Sequence, residues 1–186
     1  MVKLSSEVTI PSALAESAAS TTSASYRFFN TKILIDKLME KNWKVYSEVE
    51  AKTHNPLRQG YQRHMIIFKN DEYTSKEGDL QVVIRNSHDS TTSVEIFAGF
   101  MRIACSNQLF TRNLGTGSLI RVRHNVSQIE KKVLENFDKM VEFLPLYDKI
   151  IRLLSRKVIT KQESLEFADR AIQNRFSDEP ERARYL

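Results

Sequence analysis

Hydrophobic positions follow two periods along the chain, one typical of helices and one typical of strands. Apolar residues recur at helical spacing over residues 31–42, and Asn30 or Thr31 is placed to cap that helix. From residue 43 apolar and polar positions alternate, and apolar runs at 64–69, 80–84 and 93–98 predict further strands, with residues 119–123 alternating apolar with basic. The turn-rich residues 86–90 suit a link between antiparallel strands, residues 70–78 suit a polar turn, and residues 102–110 fit strand or helix equally well.

The last third of the chain has a helical pattern throughout. Residues 127–130 and 160–163 both match a capping box, and Pro145 is expected to kink or break the first of the two helices. The positions predicted to be buried are Ile129, Val133, Phe137, Met140 and Val141, followed by Leu165, Ala168, Ile172 and Phe176 in the last helix. The whole pattern predicts an α+β fold with an N-terminal helix, an antiparallel β-meander of four to six strands, and C-terminal helices.

Composition divides the chain into four regions. Residues 1–25 are rich in Ser, Thr and Ala and predict a flexible N-terminal arm, because they bury too little apolar surface to offset their chain entropy. Residues 26–126 form the predicted α+β core that binds nucleic acid, and residues 127–176 form a helical region for packing or oligomerisation. Residues 177–186 are a polar tail that is compatible with truncation of a longer protein. The helical region has apolar residues on more than one face, which predicts a homo-oligomer: Phe143, Leu146, Ile150, Ile151 and Leu154.

Charge and cysteine content indicate the type of partner and the cellular compartment that suit this sequence. The formal net charge is +5 over 186 residues, which permits contact with polyanions. Cys105 is the single cysteine, so the chain has no internal disulfide, and a reducing cytoplasm is the expected location. No signal-peptide pattern begins the sequence, and no uncharged apolar run is long enough to span a bilayer, so no membrane association is expected.

Residues 99–126 are the segment most informative about function, because they contain four arginines and no aspartate or glutamate. Single strands of nucleic acid are held by cations along the phosphates and by aromatic rings stacked on the bases. The residues predicted to bind nucleic acid are Arg85, Arg102, Arg112, Arg121, Arg123, Tyr61 and Phe110. If residues 119–123 form a strand, Arg121 and Arg123 share one face. The competing interpretation is a solvated sheet face whose aromatic residues, Phe100 above all, lie in the core.

Other candidate chemistry is incomplete. The four histidines lack the spacing of a metal site, and a metal-dependent nuclease built on His64, His88 and Asp89 is the weakest functional alternative. Cys105 with His88 is a conceivable nucleophilic pair, but Cys105 suits a small core residue and Asp89 suits a turn. Residues 115–118 resemble a short glycine loop without the lysine of a nucleotide-binding loop. The sequence therefore predicts a binding protein, not an enzyme, with no cofactor and no bound metal.

Several motifs together resemble a protein family of unknown function that is carried by phages and plasmids. They are residues 60–65 (GYQRHM), 86–89 (NSHD), 99–102 (GFMR), 105–107 (CSN) and 168–171 (ADRA), and the resemblance covers about residues 30–176. Gln108 departs from the family pattern, which favours Gly after the Asn of the CSN motif. The resemblance implies a phage or plasmid setting, hence the cytoplasm of an infected host cell. In general plan the family is similar to phage proteins that bind and anneal single-stranded DNA.

These observations favour binding of single-stranded DNA, without sequence preference, in phage replication, recombination or transcription. The alternative is a phage interaction protein whose basic face binds a host or phage protein, such as a polymerase or a nuclease.

Overall fold

A computed structural model describes residues 4–75, 78–102, 109–111 and 119–175. In these residues it contains three α-helices and six β-strands, in the order α1 (Thr31–Met39), β1 (Lys44–Glu50), β2 (His64–Ser75), β3 (Gly78–Asn86), β4 (Val94–Arg102), β5 (Leu109–Thr111), β6 (Leu119–Val122), α2 (Ile129–Ser155) and α3 (Lys161–Arg175). The predictions for residues 103–108, 112–118 and 176–186, which include Arg112, the glycine loop and Phe176, lie outside the described residues.

The strands form one antiparallel sheet in which β1 to β4 are neighbours in chain order. The first half of β4 pairs with β6 and its second half pairs with β5. This arrangement confirms the predicted α+β class and the β-meander. It also brings the end of β6 beside the loop that connects β3 to β4.

The β2–β3 hairpin is longer than the sequence pattern indicates. Residues 70–75, expected to be a polar turn, belong to β2, and Thr74 and Ser75 pair with β3 after a register shift. Asn70 is buried at that irregularity, where its side chain donates to Lys41 O and accepts from Glu72 N. These bonds satisfy the Asn70 side chain at the irregularity. The strand can therefore continue through residues 70–75 although they are polar.

The core lies on one face of the sheet, beneath α1 and α2. Alternate residues of the strands point toward it, as in Ile66 and Phe68 of β2, and they meet Leu34 of α1 and Phe137 of α2 in one cluster. Asn30 caps α1 as predicted, since its side chain accepts from Lys32 N. Leu34, Ile35 and Leu38 of α1 are buried, whereas Ile33 and Met39 are only partly buried.

Residues 4–25 pack against the sheet in place of the predicted flexible arm. Ser5 forms a bridge with Val45, Ser12 donates to the carboxylate of Glu50, and Ala13 is fully buried. Small side chains allow this segment to lie close to the sheet. Its hydrogen bonds and buried alanines offset the loss of chain entropy on ordering.

Helix α2 continues through Pro145, which corrects the prediction of a break there. Leu144 and Tyr147 on either side of the proline are both buried, and this packing outweighs the loss of one helical hydrogen bond, which costs about 3 kcal/mol. The predicted core positions Ile129, Val133, Phe137 and Met140 are buried, while Val141 is half-buried.

The chain divides into two compact units, Met1–Lys149 and Ile150–Leu186. The predicted boundary near residue 126 falls inside the first unit, because the first part of α2 belongs to the core. In the second unit, α3 begins with the capping box predicted at residues 160–163: Glu163 N donates to Thr160 Oγ1 at 3.2 Å and Thr160 N donates to Glu163 Oε2 at 2.8 Å. Among the described residues, no helix combines the length and apolar character needed to cross a membrane.

Candidate functional site

Five buried polar side chains meet at one end of the sheet, and we call them the histidine network: Thr31, His64, Asn86, His88 and His124. Thr31 is the first residue of α1, His64 begins β2, Asn86 ends β3, and His124 follows β6. The fold thus brings together four element ends that lie far apart in sequence. Such a concentration of polar groups in a core is stable only when hydrogen bonds satisfy it.

The hydroxyl of Thr31 is the centre of the histidine network. Its Oγ1 lies 3.0 Å from His64 Nε2, 3.4 Å from His88 Nε2 and 2.9 Å from Asn86 Nδ2. His64 Nδ1 donates to Gln62 O at 3.3 Å, so its Nε2 accepts the single Thr31 proton, and His88 Nε2 and Asn86 donate to the Thr31 oxygen. This assignment uses the full capacity of the hydroxyl and leaves His88 Nδ1 buried without a partner.

His124 joins the histidine network to the segment before α1. Its Nδ1 lies 2.8 Å from Arg27 O, its Nε2 lies 2.9 Å from Asn86 Oδ1, and its ring stacks on Tyr26 with centroids 4.5 Å apart. A neutral ring donates only one of these two bonds, whereas a protonated ring donates both. Burial, the larger effect, lowers the pKa of His124, and the bond to Arg27 raises it.

Burial makes the other two histidines of the network poor bases. It lowers the pKa of His64 to about 4, against an opposing rise from the Gln62 bond and from the charges of Glu50 and Asp89. It lowers the pKa of His88 to about 3, with repulsion from His64 and His124 acting in the same direction. Both rings are therefore neutral at pH 7.

The residues weighed for a metal-dependent nuclease are part of this internal structure. Asp89 accepts from Thr91 N at 3.1 Å and from Thr91 Oγ1 at 2.6 Å, so it closes the turn as the sequence predicts. Within the described part of the chain, no group of three His, Cys, Asp or Glu residues is arranged to hold a metal ion. Cys105 lies outside the described residues.

An open polar cleft of about 340 Å³ adjoins the histidine network and shares His124 with it. We call it the arginine cleft. Two arginines at and after the end of β6 line it together with hydroxyl and amide groups from two loops: Arg121, Arg123, Ser23, Ser25, Tyr26, Ser90, Thr91, Thr92, Ser93, His124 and Asn125. Guanidinium and hydroxyl groups are the donors that phosphate oxygens accept from, so the cleft is suited to an anion.

The two arginines of the cleft differ in their neighbours. Arg121 Nε lies 3.2 Å from Glu95 Oε1, and the same carboxylate also pairs with Arg85. Pairing of β3, β4 and β6 sets Arg85, Glu95 and Arg121 side by side on the sheet face opposite the core. Arg123 is exposed and has no acidic partner among the described residues. It is thus the uncompensated positive charge of the cleft.

The structure brings together two of the seven residues predicted to bind nucleic acid. Arg121 and Arg123 line the arginine cleft, whereas Arg85 lies two strands away from Arg121. Tyr61 lies before β2, where its carbonyl accepts from His88 N at 2.8 Å, and it does not line the cleft. Arg102 ends β4 and Phe110 lies in β5, but their side chains, like Arg112, are outside the described residues. Phe100, expected to be buried, is half-buried.

Sequence reasoning missed the polar lining of the cleft. Residues 90–93 form a run of four hydroxyl side chains, a visible signal to which sequence reasoning assigns no binding role. Tyr26 is assigned none either. Only the pairing of β6 with β4 shows that these loops face Arg121 and Arg123.

Comparison with curated proteins gives two relatives from Escherichia coli (strain K12). The chain is similar to the UPF0380 protein YafZ, with 26% identity over 140 residues, covering 72% of this chain and 50% of the relative. It is also similar to the UPF0380 protein YfjQ, with 24% identity over 100 residues, covering 54% of this chain and 37% of the relative. The chain thus spans half or less of the length of these relatives. No solved structure gives a significant match.

A family model described as "Domain of unknown function (DUF932)" matches residues 18–184, which is most of the chain and includes both arginines of the cleft. This protein therefore belongs to the DUF932 family.

Proposed function

We propose that the protein binds single-stranded DNA without sequence preference, with the arginine cleft holding the sugar-phosphate backbone. The observation that carries the proposal is the exposed Arg123, which no acid of the described residues compensates, in a cleft that Arg121 and several hydroxyl and amide groups also line. A backbone phosphate needs a cation for its charge and short polar side chains for its oxygens, and none of these contacts reads a base.

Tyr26 supplies the aromatic component that Tyr61 was expected to provide. Its ring is half-buried at the edge of the cleft and stacks on His124. Its hydroxyl donates to Ser87 O at 2.9 Å, which fixes the ring in place, and burial together with Asp89 raises its pKa. A fixed ring beside a phosphate-binding cation is the arrangement that favours stacking of a base.

A binding role accounts for the buried histidines better than catalysis does. The hydrogen bonds of the histidine network join four element ends, and two of these, the ends of β3 and β6, lead into loops that line the cleft. The phage or plasmid setting, the cytoplasm of an infected host cell, and a role in replication, recombination or transcription complete the proposal, and their support is the sequence resemblance.

The test is fluorescence anisotropy of a labelled oligothymidylate, titrated with the protein at two salt concentrations, with duplex DNA as competitor. We expect salt-sensitive binding that duplex DNA does not displace. Arg123→Gln should weaken it about two- to fivefold at low salt, because an exposed ion pair contributes about 0.5–1 kcal/mol. The slope of log K against log salt should fall by about 0.7 for the one phosphate contact that is lost.

Arg63→Gln is the matched control, because Arg63 is also exposed but lies before β2 and does not line the cleft. Equal loss in both variants would show a diffuse charge effect and would refute the cleft as the site. Absence of binding at low salt would refute the function and would favour an acidic protein partner for the same cations.

A further inference from the structure

The second unit exposes apolar side chains over residues 150–173, the part whose burial the structure describes. None of the residues in that range is buried. Val158 is 91% exposed and Phe167 is 72% exposed. Seven large apolar residues of this short segment are exposed: Ile150, Leu153, Leu154, Val158, Ile159, Leu165 and Phe167. Apolar surface concentrated in this way marks a site of association.

Helix α3 also needs a partner for its own stability. It has 15 residues, and an isolated helix of that length is marginal in water because most helical stability comes from packing of an apolar face. Leu165, Ala168 and Ile172 follow one another at spacings of three and four residues, so they share a face. Leu165 is 57% exposed, and Ile172 is only half-buried, so this face is uncovered.

The charges of the second unit fall into two blocks of opposite sign. Residues 150–161 contain four cations and no acid, namely Arg152, Arg156, Lys157 and Lys161. Residues 162–169 contain three acids and no cation, namely Glu163, Glu166 and Asp169. One pair joins the blocks within the chain, since Lys157 Nζ lies 3.6 Å from Glu163 Oε1 on the surface.

We propose that the second unit is a self-association surface that pairs with the same unit of a second copy of this chain. Around a two-fold axis, the basic block of each copy faces the acidic block of the other, so the charge complementarity operates twice. The exposed apolar residues lie in and between the two blocks and become the centre of the interface. The surface is thus complementary to itself, which a surface built for an acidic or a basic partner is not.

The first experiment measures the mass of the full chain by light scattering, without nucleic acid, so its outcome is independent of the proposed DNA binding. We expect a dimer of twice 21.6 kDa that Leu165→Glu converts to a monomer. The matched control is Leu57→Glu, because Leu57 is 60% exposed in the first unit and should leave the dimer intact. A monomeric parent chain, or a Leu165→Glu variant that stays dimeric, would overturn the proposal.

The second experiment tests the identity of the partner by charge reversal. One variant carries Glu166→Lys and Asp169→Lys, and the other carries Arg156→Glu and Lys157→Glu. Each alone places like charges opposite each other in both halves of the interface, so its dimer dissociation constant should rise tenfold or more. The two variants mixed together restore attraction in both halves and should form a mixed dimer, detected by differently labelled chains. Failure of the mixture to associate would refute a two-fold pairing of these blocks.

Discussion

The histidine network and the arginine cleft are adjoining polar regions with opposite ways of satisfying their polar groups. In the network, Thr31, Asn86 and the histidines hydrogen-bond to one another inside the protein, with His88 Nδ1 left without a partner, and burial suppresses charge on His64 and His88. In the cleft, Arg123 and Ser90 are exposed, and no acid compensates Arg123 within the described residues. The two regions share His124, on which the ring of Tyr26 in the cleft stacks.

The difference shows where to look for function in this molecule. His64, His88 and Asp89 are the residue types of catalytic sites, yet their partners lie within the protein. Burial is the main cause of the lowered pKa of His64 and of His88. The arginine cleft beside them is instead open to solvent, and this difference predicts that variants of the two regions affect different properties.

The largest expected effect is a loss of stability in mild acid, because the network holds neutral histidines. Above pH 6.5 the rings are neutral in both states and the full stability is present. Below pH 6.5 both histidines bind a proton in the unfolded chain. In the folded protein His64 binds one only near pH 4 and His88 only near pH 3. The free energy of unfolding should thus fall by about 1.4 kcal/mol per pH unit for each histidine, or by about 4 kcal/mol between pH 6.5 and 5.

Urea unfolding at pH 7.5, 6.0 and 5.0 measures this loss. Burial also lowers the pKa of His124, so this histidine adds to the loss in the same direction. His88→Gln should halve the dependence on pH, while His54→Gln, at an exposed loop position, should preserve it. If stability is constant between pH 7.5 and 5.0, the histidines of the network are not held neutral.

The second effect is on stability at neutral pH and comes from the centre of the network. Thr31→Val keeps the shape of the side chain but removes the hydroxyl that His64, His88 and Asn86 share. We expect the free energy of unfolding to fall by about 3 kcal/mol, since each buried group left without a partner costs about 1–3 kcal/mol and some find other partners.

Thr21→Val is the matched control, because Thr21 is exposed and should be replaced without loss. DNA affinity, measured where the variant is still folded, should change less than twofold, because Thr31 does not line the cleft. A large fall in affinity with unchanged stability would mean that the network acts in binding, and the comparison between the two regions would fail.

The sequence predicts the fold well where local patterns carry the information. Asn30 at the start of α1, the capping box of Thr160 and Glu163, and the alternation of the strands all report local physics, and the structure contains each of them. Residues 4–25 pack against the sheet and α2 continues through Pro145, because long-range packing overrides local composition. A serine- and alanine-rich segment looks unable to order until the sheet that covers Ala13 is known.

The candidate site was predictable only in part, for a topological reason. The absence of acidic residues from 99–126 indicates Arg121 and Arg123 as binding residues, and both line the cleft. The same reasoning could not show that Glu95 pairs with Arg85 and Arg121, because that contact depends on the register between three strands. Nor could it assemble the histidine network, whose members span residues 31–124.

The smallest expected effect is on DNA affinity and comes from replacing Glu95, which contacts Arg121 of the cleft. This buried carboxylate holds Arg121 and Arg85, and its negative charge opposes the approach of a phosphate. Glu95→Gln removes the charge but keeps an oxygen that accepts from Arg121. We expect affinity for the oligothymidylate to rise about twofold at low salt, since an exposed ion pair contributes about 0.5 kcal/mol, and the gain to vanish at high salt.

The control for this variant is Asp71→Asn, because Asp71 pairs with Lys44 on the surface and does not line the cleft. It removes the same charge from the protein, so any change common to both variants reflects net charge alone. A fall in affinity specific to Glu95→Gln would mean that orientation of Arg121 outweighs the charge. The cleft would then depend on a buried partner as the histidine network does, and the two regions would differ in exposure but not in the way that their side chains are held.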